Sequence, residues 1–480
     1  MFTMILSSPA TQKSAAPAQE TRMTQRSATL AVQTVIDEAP LSRFQIAIFV
    51  LCFAILVLDG YDTVVVGYIA PALKAHFGAA PAQLAPMFGA GLFGLTVGSF
   101  VFGPVADRFG RKPTLIVSIA LFALFSLVSA WANSIGTLIV LRFVTGLGLG
   151  GAMPNAYTLA AEYCPARLRS TLVAPIGCGI AAGGALGGLA APHLIGTFGW
   201  PSMLVAGGIL PLVLVFVLAR WLPESVRHLV AHGARQDEAR AILARIAPKI
   251  DLSRVQLTLG ETPARGFPIG QLLRPGIGGG TLLLWITAFM ALLVIYFLGN
   301  WLPILIQQSG VPFREASLMT ALYLTGNSLG AILLGVLMDR FNPQYVLAVA
   351  FVFAAASLAS FGHLAGDPAL AWLSLVALFV TGVGTGGTMT GTNILSTGYY
   401  PTATRATGVA WTLGMGRVGS IVGSMIGGAM LAAHWLPPRI FEAVAVPVAL
   451  AAISVCVLAA YRARHARPDQ TTSEAAAHGT

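Results

Sequence analysis

Charge is what this sequence has least of. Only 10% of its 480 residues are Asp, Glu, Lys or Arg, where soluble domains carry about a quarter, so most of its surface is not built for water. Cysteine is scarce as well. Cys52, Cys164, Cys178 and Cys456 show no CxxC or metal-ligand spacing, which leaves neither a disulfide framework nor a metal site and makes them packing residues. Residues 1–43 hold no apolar run long enough for a cleaved signal peptide. Being rich in Ser, Thr, Gln and Ala, they read as a disordered tail, with Met23 as an alternative start to Met1. None of the eight histidines falls clearly inside an apolar stretch. The usual general base is therefore missing, no cofactor or metal is implied, and the chain does not read as an enzyme.

What the chain has in excess is apolar length. Hydrophobic residues make up 56% of it, and runs of about 20 residues, enough to cross a hydrocarbon core as a helix, recur along most of it. The predicted helices cover 44–73, 84–103, 114–131, 137–161, 172–194 and 202–222, then 281–306, 317–338, 345–362, 369–395, 404–433 and 441–461. The expected fold is thus an all-α membrane protein of twelve spans. Bundles at 44–222 and 281–461 flank a polar linker at 223–280, whose 237–246 stretch suits a short surface helix, and a tail follows at 462–480.

A net charge of +10 could suggest nucleic acid, but its placement points elsewhere. Of the 28 bases, 23 fall in alternate loops and tails assigned to one side; three, Lys74, Arg314 and Arg439, fall on the other. The remaining two, Arg142 and Arg417, lie inside helices. By the positive-inside rule both termini face the cytoplasm, in a bacterial-type inner membrane, with the lipid bilayer as partner and a monomer as the working unit.

The two bundles repeat one another. At an offset of 232, Gly103, Asp107, Arg108 and Phe109 match Gly335, Asp339, Arg340 and Phe341; at 236, Gly146, Gly148, Gly150, Gly151 and Met153 match Gly382, Gly384, Gly386, Gly387 and Met389. Six helices per unit make the repeat parallel.

Five groups of residues carry chemistry. The turn from Gly103 through Asp107, Arg108, Gly110 and Arg111 to Lys112 combines tight-turning glycines with an acid and bases too ordered for a loop that is merely basic. Asp59 and Asp62 stand near the middle of the first predicted helix, one turn apart on one face. Acids at that depth are functional by default, and two so close resist ionising together, as a proton carrier requires. Arg142 and Arg417 break the repeat, mapping onto Leu378 and Ala181, as a site for an asymmetric ligand would. Arg417, beside Gly414, Ser420 and Ser424, is placed to hold a carboxylate with two parallel hydrogen bonds. For Arg142 a salt bridge to one of the aspartates and a part in admitting substrate both stand open. Finally, Glu162, Arg169 and Arg405 suit either solvated loop charge or a gating network. Tyr296 and Trp411, with Phe289, Phe297 and Trp301, suit either stacking on a ring or packing and interfacial anchoring.

Three apparent signatures do not hold. Gly146-x-Gly148-x-x-Gly151 lies inside a membrane helix with no strand before it, so close packing explains it. Gly326-x-Ser328-x-Gly330 has no histidine partner, and the glycines of 179–188 lack the proline that marks drug antiporters.

On the Gly103–Lys112 motif and its partial copy at Gly335, the chain from about 44 to 461 resembles the major facilitator superfamily, in which that motif gates alternating access. Asp59-Gly60-Tyr61-Asp62-Thr63, Leu141-Arg142-Phe143, Pro223-Glu224-Ser225 and Arg405 to Trp411 with Gly414 to Arg417 narrow the resemblance. They are similar to the aromatic acid:proton symporters, most of all to the 4-hydroxybenzoate and protocatechuate carriers. The resemblance implies an importer of an aromatic carboxylate coupled to protons, in which Asp59, Asp62, Arg142, Glu162, Arg405 and Arg417 matter for transport. Gln344 stands where those carriers lead one to expect histidine, so the ligand itself stays open. A drug/proton antiporter of the same fold and a non-transporting sensor of aromatic acids are the alternatives.

Overall fold

A computed structural model describes residues 29–232, 235–248, 256–258, 270, 272–274, 276–401 and 404–465. Twelve helices among them are long and apolar enough to cross a membrane. In order they are Arg43–Phe77, Pro81–Phe109, Arg111–Ser129, Ile135–Glu162, Pro175–Phe198 and Pro201–Trp221, then Gly278–Gln308, Phe313–Arg340, Pro343–Leu364, Pro368–Tyr399, Thr407–Ala432 and Pro437–Ala463. Short connections make successive spans antiparallel. The loops around Asp107 and Asp339 and the linker therefore share one end, here the linker end, and the turns at Gly78, Gly199 and Gly310 share the far end.

Glycine explains why the repeat survives in the sequence. A β-carbon at Gly146 would sit 2.0 Å from the Gly91 carbonyl oxygen and one at Gly150 would sit 2.2 Å from that of Leu95, so the fourth span lies backbone to backbone on the second. The matching Gly382 and Gly386 come 2.2 Å from the Tyr323 and 2.1 Å from the Asn327 carbonyl oxygens, which places the tenth span on the eighth in the same way. Small residues are what let helices in lipid approach this closely. The tenth span, expected as one helix, is interrupted between Gly386 and Thr388, where consecutive glycines supply little helix propensity.

At the far end the halves meet. The Phe88 and Trp301 rings lie edge to face with centroids 4.9 Å apart, the Met425 side chain lies over Gly89, and Ala85 lies against Gly428.

One expectation is corrected. Residues 29–43, assigned to a disordered tail, are ordered: Thr29–Ala31 pairs as a parallel strand with linker residues Gln256–Thr258, and a helix follows at Val32–Glu38. Val32, Val35 and Ile36, spaced as one helical face, are buried with Leu229, Ala239, Leu243 and Ile246 of the linker. Asp37 accepts a 2.7 Å hydrogen bond from the Ala166 backbone. A composition argument averages over such a short apolar face and misses it. A capping box between Ser42 and Gln45 then starts the first span. The linker helix expected at 237–246 runs Gln236–Ile246, and the last span's helix extends to His465. Residues 1–28 and 466–480, with Met1, Met23 and several of the counted bases, lie outside the described residues.

Candidate functional site

The two acids of the first span are both buried, Asp59 2% and Asp62 1% exposed, yet they face different partners. One turn of helix separates them in height, and their difference in azimuth sends them to different neighbours. Asp62 accepts 3.1 Å from Arg142 Nη1 and 2.6 Å from Ser126 Oγ. Arg142, itself 3% exposed, donates its other terminal nitrogen to Thr145 at 3.2 Å. Of the two readings left open for Arg142, the structure therefore supports the salt bridge.

Asp59 has no such clamp. Its Oδ1 accepts one long bond, 3.4 Å, from Thr63, and its Oδ2 is buried without a partner among the described residues. Across the interface between the halves, Arg417 lies within electrostatic reach of it, and Tyr296 of the seventh span is within reach of both. Tyr157 of the fourth span joins the same group. The Arg417 guanidinium makes no ion pair or hydrogen bond with any described residue. A β-carbon at Gly414, one turn away, would meet nothing within 4 Å. A guanidinium unpaired among the described residues, with open space beside it and a buried acid within electrostatic reach, has the donors to hold a planar anion.

A second cluster stands at the linker end, formed by the first half and the start of the linker. Gly110, at φ +105°, turns the chain so that Glu224 Oε1 accepts from the backbone N–H groups of Arg111 (2.7 Å), Lys112 (3.2 Å) and Ser225 (2.8 Å). A carboxylate at the start of the third span complements the unsatisfied donors and the positive dipole end there. Arg111 binds Asp107 at 2.8 Å and reaches Glu162 at 3.9 Å, while Ser225 Oγ donates to Glu162. Just beyond, His228 stacks on His232 with ring centroids 4.2 Å apart. Burial first, and that neighbour second, hold its pKa below the usual histidine value. Replacing Glu224 by Ala should leave three donors unanswered and cost about 2 kcal/mol or more. A thermal unfolding midpoint equal to that of the wild type would contradict this anchoring role.

The other expected residues are less engaged. Gly103 is uncrowded, and Arg108 is exposed and lies 5.5 Å over the Phe109 ring. Asp339 and Arg340, the second copy of the motif, are exposed, and no counterpart of Glu224 holds them among the described residues. Arg169 is exposed; Arg405 donates to the Tyr400 carbonyl oxygen at 3.4 Å. Trp411 does not join Arg417. It lies about 9 Å nearer the linker end along the helix, 39% exposed and packed on Trp285 at 6.1 Å. The sequence reading missed Tyr157, Ser126 and Thr63, because one tyrosine or hydroxyl in a span carries no local signal, and it gave Glu224 no role beyond a motif.

Comparison with known proteins identifies the family and the fold. The Major Facilitator Superfamily model matches residues 51–313 and 284–479. The chain is 40% identical to the 4-hydroxybenzoate transporter PcaK of Acinetobacter baylyi over 93% of its own length and 97% of that protein's. It is also 40% identical to a gallate transporter of Pseudomonas putida, over 88% and 94% of the two chains. Among solved structures, the inward-open xylose transporter XylE of E. coli aligns with a TM-score of 0.70 at 20% identity, covering 85% of this chain and 95% of that one.

Proposed function

This chain belongs to the Major Facilitator Superfamily, and from that membership we propose that it imports an aromatic carboxylate of the hydroxybenzoate kind together with protons, by alternating access. The observation that carries the reading is the Arg417 guanidinium, unpaired among the described residues and within electrostatic reach of Asp59. The similarity to transporters named for 4-hydroxybenzoate and gallate supports the choice of substrate class.

Energetics dictate the coupling. Moving an anion inward against the membrane potential costs about 2.3 kcal/mol per charge for each 100 mV, and one accompanying proton cancels that cost. Asp59 takes the proton and Arg417 the carboxylate, while Tyr157 and Tyr296 flank the space between them. Neutralising Asp59 leaves the Arg417 charge free to balance the substrate. The halves then rock about this site. The contacts of Phe88 with Trp301 and of Met425 with Gly89 part in one state, and the loops around Asp107 and Asp339 part in the other. The weight of basic residues at the linker end supports a cytoplasmic position for that end and for both termini, in a cell bounded by an inner membrane. A single chain contains both halves and suffices as a monomer.

Proteoliposomes settle the matter. Uptake of labelled 4-hydroxybenzoate should rise several-fold when the outside is acidified and should collapse with a protonophore. Indifference to both treatments would leave facilitated diffusion or exchange in place of symport.

A further inference from the structure

The wall between Asp59 and the far end contains a pocket that the scheme above does not use. Asp62, Thr63, Arg142, Gly91, Phe88 and Asn300 are among its lining residues, so the first, second, fourth and seventh spans all contribute. Water centres can occupy about 30 Å³ of it, about twice what one water needs. Its lining is mainly apolar, with Asp62, Thr63, Arg142 and Asn300 as its polar members. Arg142 Nε is buried without a hydrogen-bond partner among the described residues, although both terminal nitrogens of that guanidinium have partners. Asn300, held by Ser424 at 2.9 Å, contributes to the lining from the opposite half. Phe88, which also lines it, touches Trp301, so the pocket lies just beneath the closed far end.

Thr63 links this pocket to the proton site. It belongs to the lining, and its hydroxyl donates to Asp59 Oδ1. Asp62, by contrast, is occupied by Arg142 and Ser126. We propose that the pocket is a water-holding antechamber for protons and that Thr63 is the relay through which a proton passes between pocket water and Asp59. This rests on the symport reading given above. In the step, a hydronium ion gives a proton to Thr63 Oγ1, and the hydroxyl passes its own proton to Asp59. Thr63 ends as it began, water remains in the pocket, and Asp59 becomes neutral. Asp62 and Arg142 form the fixed wall. The charged and titratable groups within electrostatic reach of Asp59 are Asp62 on its own helix, Tyr157 on the fourth span, Tyr296 on the seventh and Arg417 on the eleventh, while Arg142 on the fourth span pairs with Asp62.

The test uses the whole protein in proteoliposomes with 4-hydroxybenzoate as probe. Thr63→Val keeps the shape and removes the hydroxyl. It should lower uptake driven by a pH gradient at least tenfold, while counterflow of labelled against unlabelled substrate, which needs no net proton movement, stays within about twofold of wild type. Thr63→Ser should restore the driven uptake. Gly91→Val would fill the pocket from a position whose β-carbon lies 3.7 Å from the Arg142 carbonyl oxygen, and should lower driven uptake in the same selective way. Unchanged driven uptake in Thr63→Val overturns the relay, as does an equal fall in driven uptake and counterflow. If wild-type uptake itself ignored the pH gradient, the symport reading would fall and take the relay with it; a coupled wild type with a normal Thr63→Val variant sinks the relay alone.

Discussion

Replacing Arg417 by Gln is expected to weaken binding of 4-hydroxybenzoate by about a hundredfold or more. Truncating one member of a desolvated charge pair costs about 2–5 kcal/mol, and nothing described here stands ready to replace this guanidinium. Its own fold should be little affected, since Arg417 makes no hydrogen bond or ion pair with any described side chain. The variant should therefore purify normally and fail only in binding. Arg417→Lys should fall between the two, keeping the charge but losing the two-pronged geometry. Calorimetric titration of purified protein is the direct check. A Gln variant that binds within threefold of wild type would remove Arg417 from the site and with it the main support for the proposed substrate class.

Arg142 calls for the opposite expectation. Arg142→Leu strands Asp62, 1% exposed, with Ser126 as its remaining partner, and breaking a buried pair in this way destabilises by about 3–5 kcal/mol. Removing both charges, as Asp62→Asn with Arg142→Leu, should recover most of that stability, because the penalty belongs to the unpaired charge and not to the lost attraction. Unfolding midpoints of the two single variants and the double variant form a closed cycle. If the double variant were as unstable as Arg142→Leu, the pair would not be the reason. Recovery of stability without recovery of transport would separate the wall that this pair builds from the chemistry carried out beside it.

Much of this was legible beforehand, for definite reasons. Apolar runs of membrane length and paired glycines at fixed offsets are constraints imposed by lipid and by close packing, and both leave marks in a linear sequence. Asp59, Asp62, Arg142 and Arg417 stood out because charge inside such runs is rare. What could not be read is azimuth. Asp59 and Asp62 look equivalent on a helical face, and only the packed third and fourth spans, bringing Ser126 and Arg142, show that one is clamped and the other is not. The ordering of 29–43 was hidden for a related reason: three apolar residues matter only once the linker supplies a surface for them. Trp411 was grouped with Arg417 because it shares the helix, and six residues of rise keep it apart.

Two sets of glycine contacts on the second span differ in kind, with a consequence for any spectroscopic ruler laid across this molecule. Within each half, Gly146, Gly150, Gly382 and Gly386 bring main chain against main chain. Between the halves near the far end, the nearest neighbours of Gly89 and Gly428 are a methionine side chain and an alanine methyl, although Gly67 of the first span lies close to the Gly299 and Asn300 main chain of the seventh. Spin labels on the second and fourth spans should thus report one fixed spacing through every stage of turnover. Labels on the second and eleventh spans near their far ends should report a spacing that broadens or splits when substrate and acid are added together.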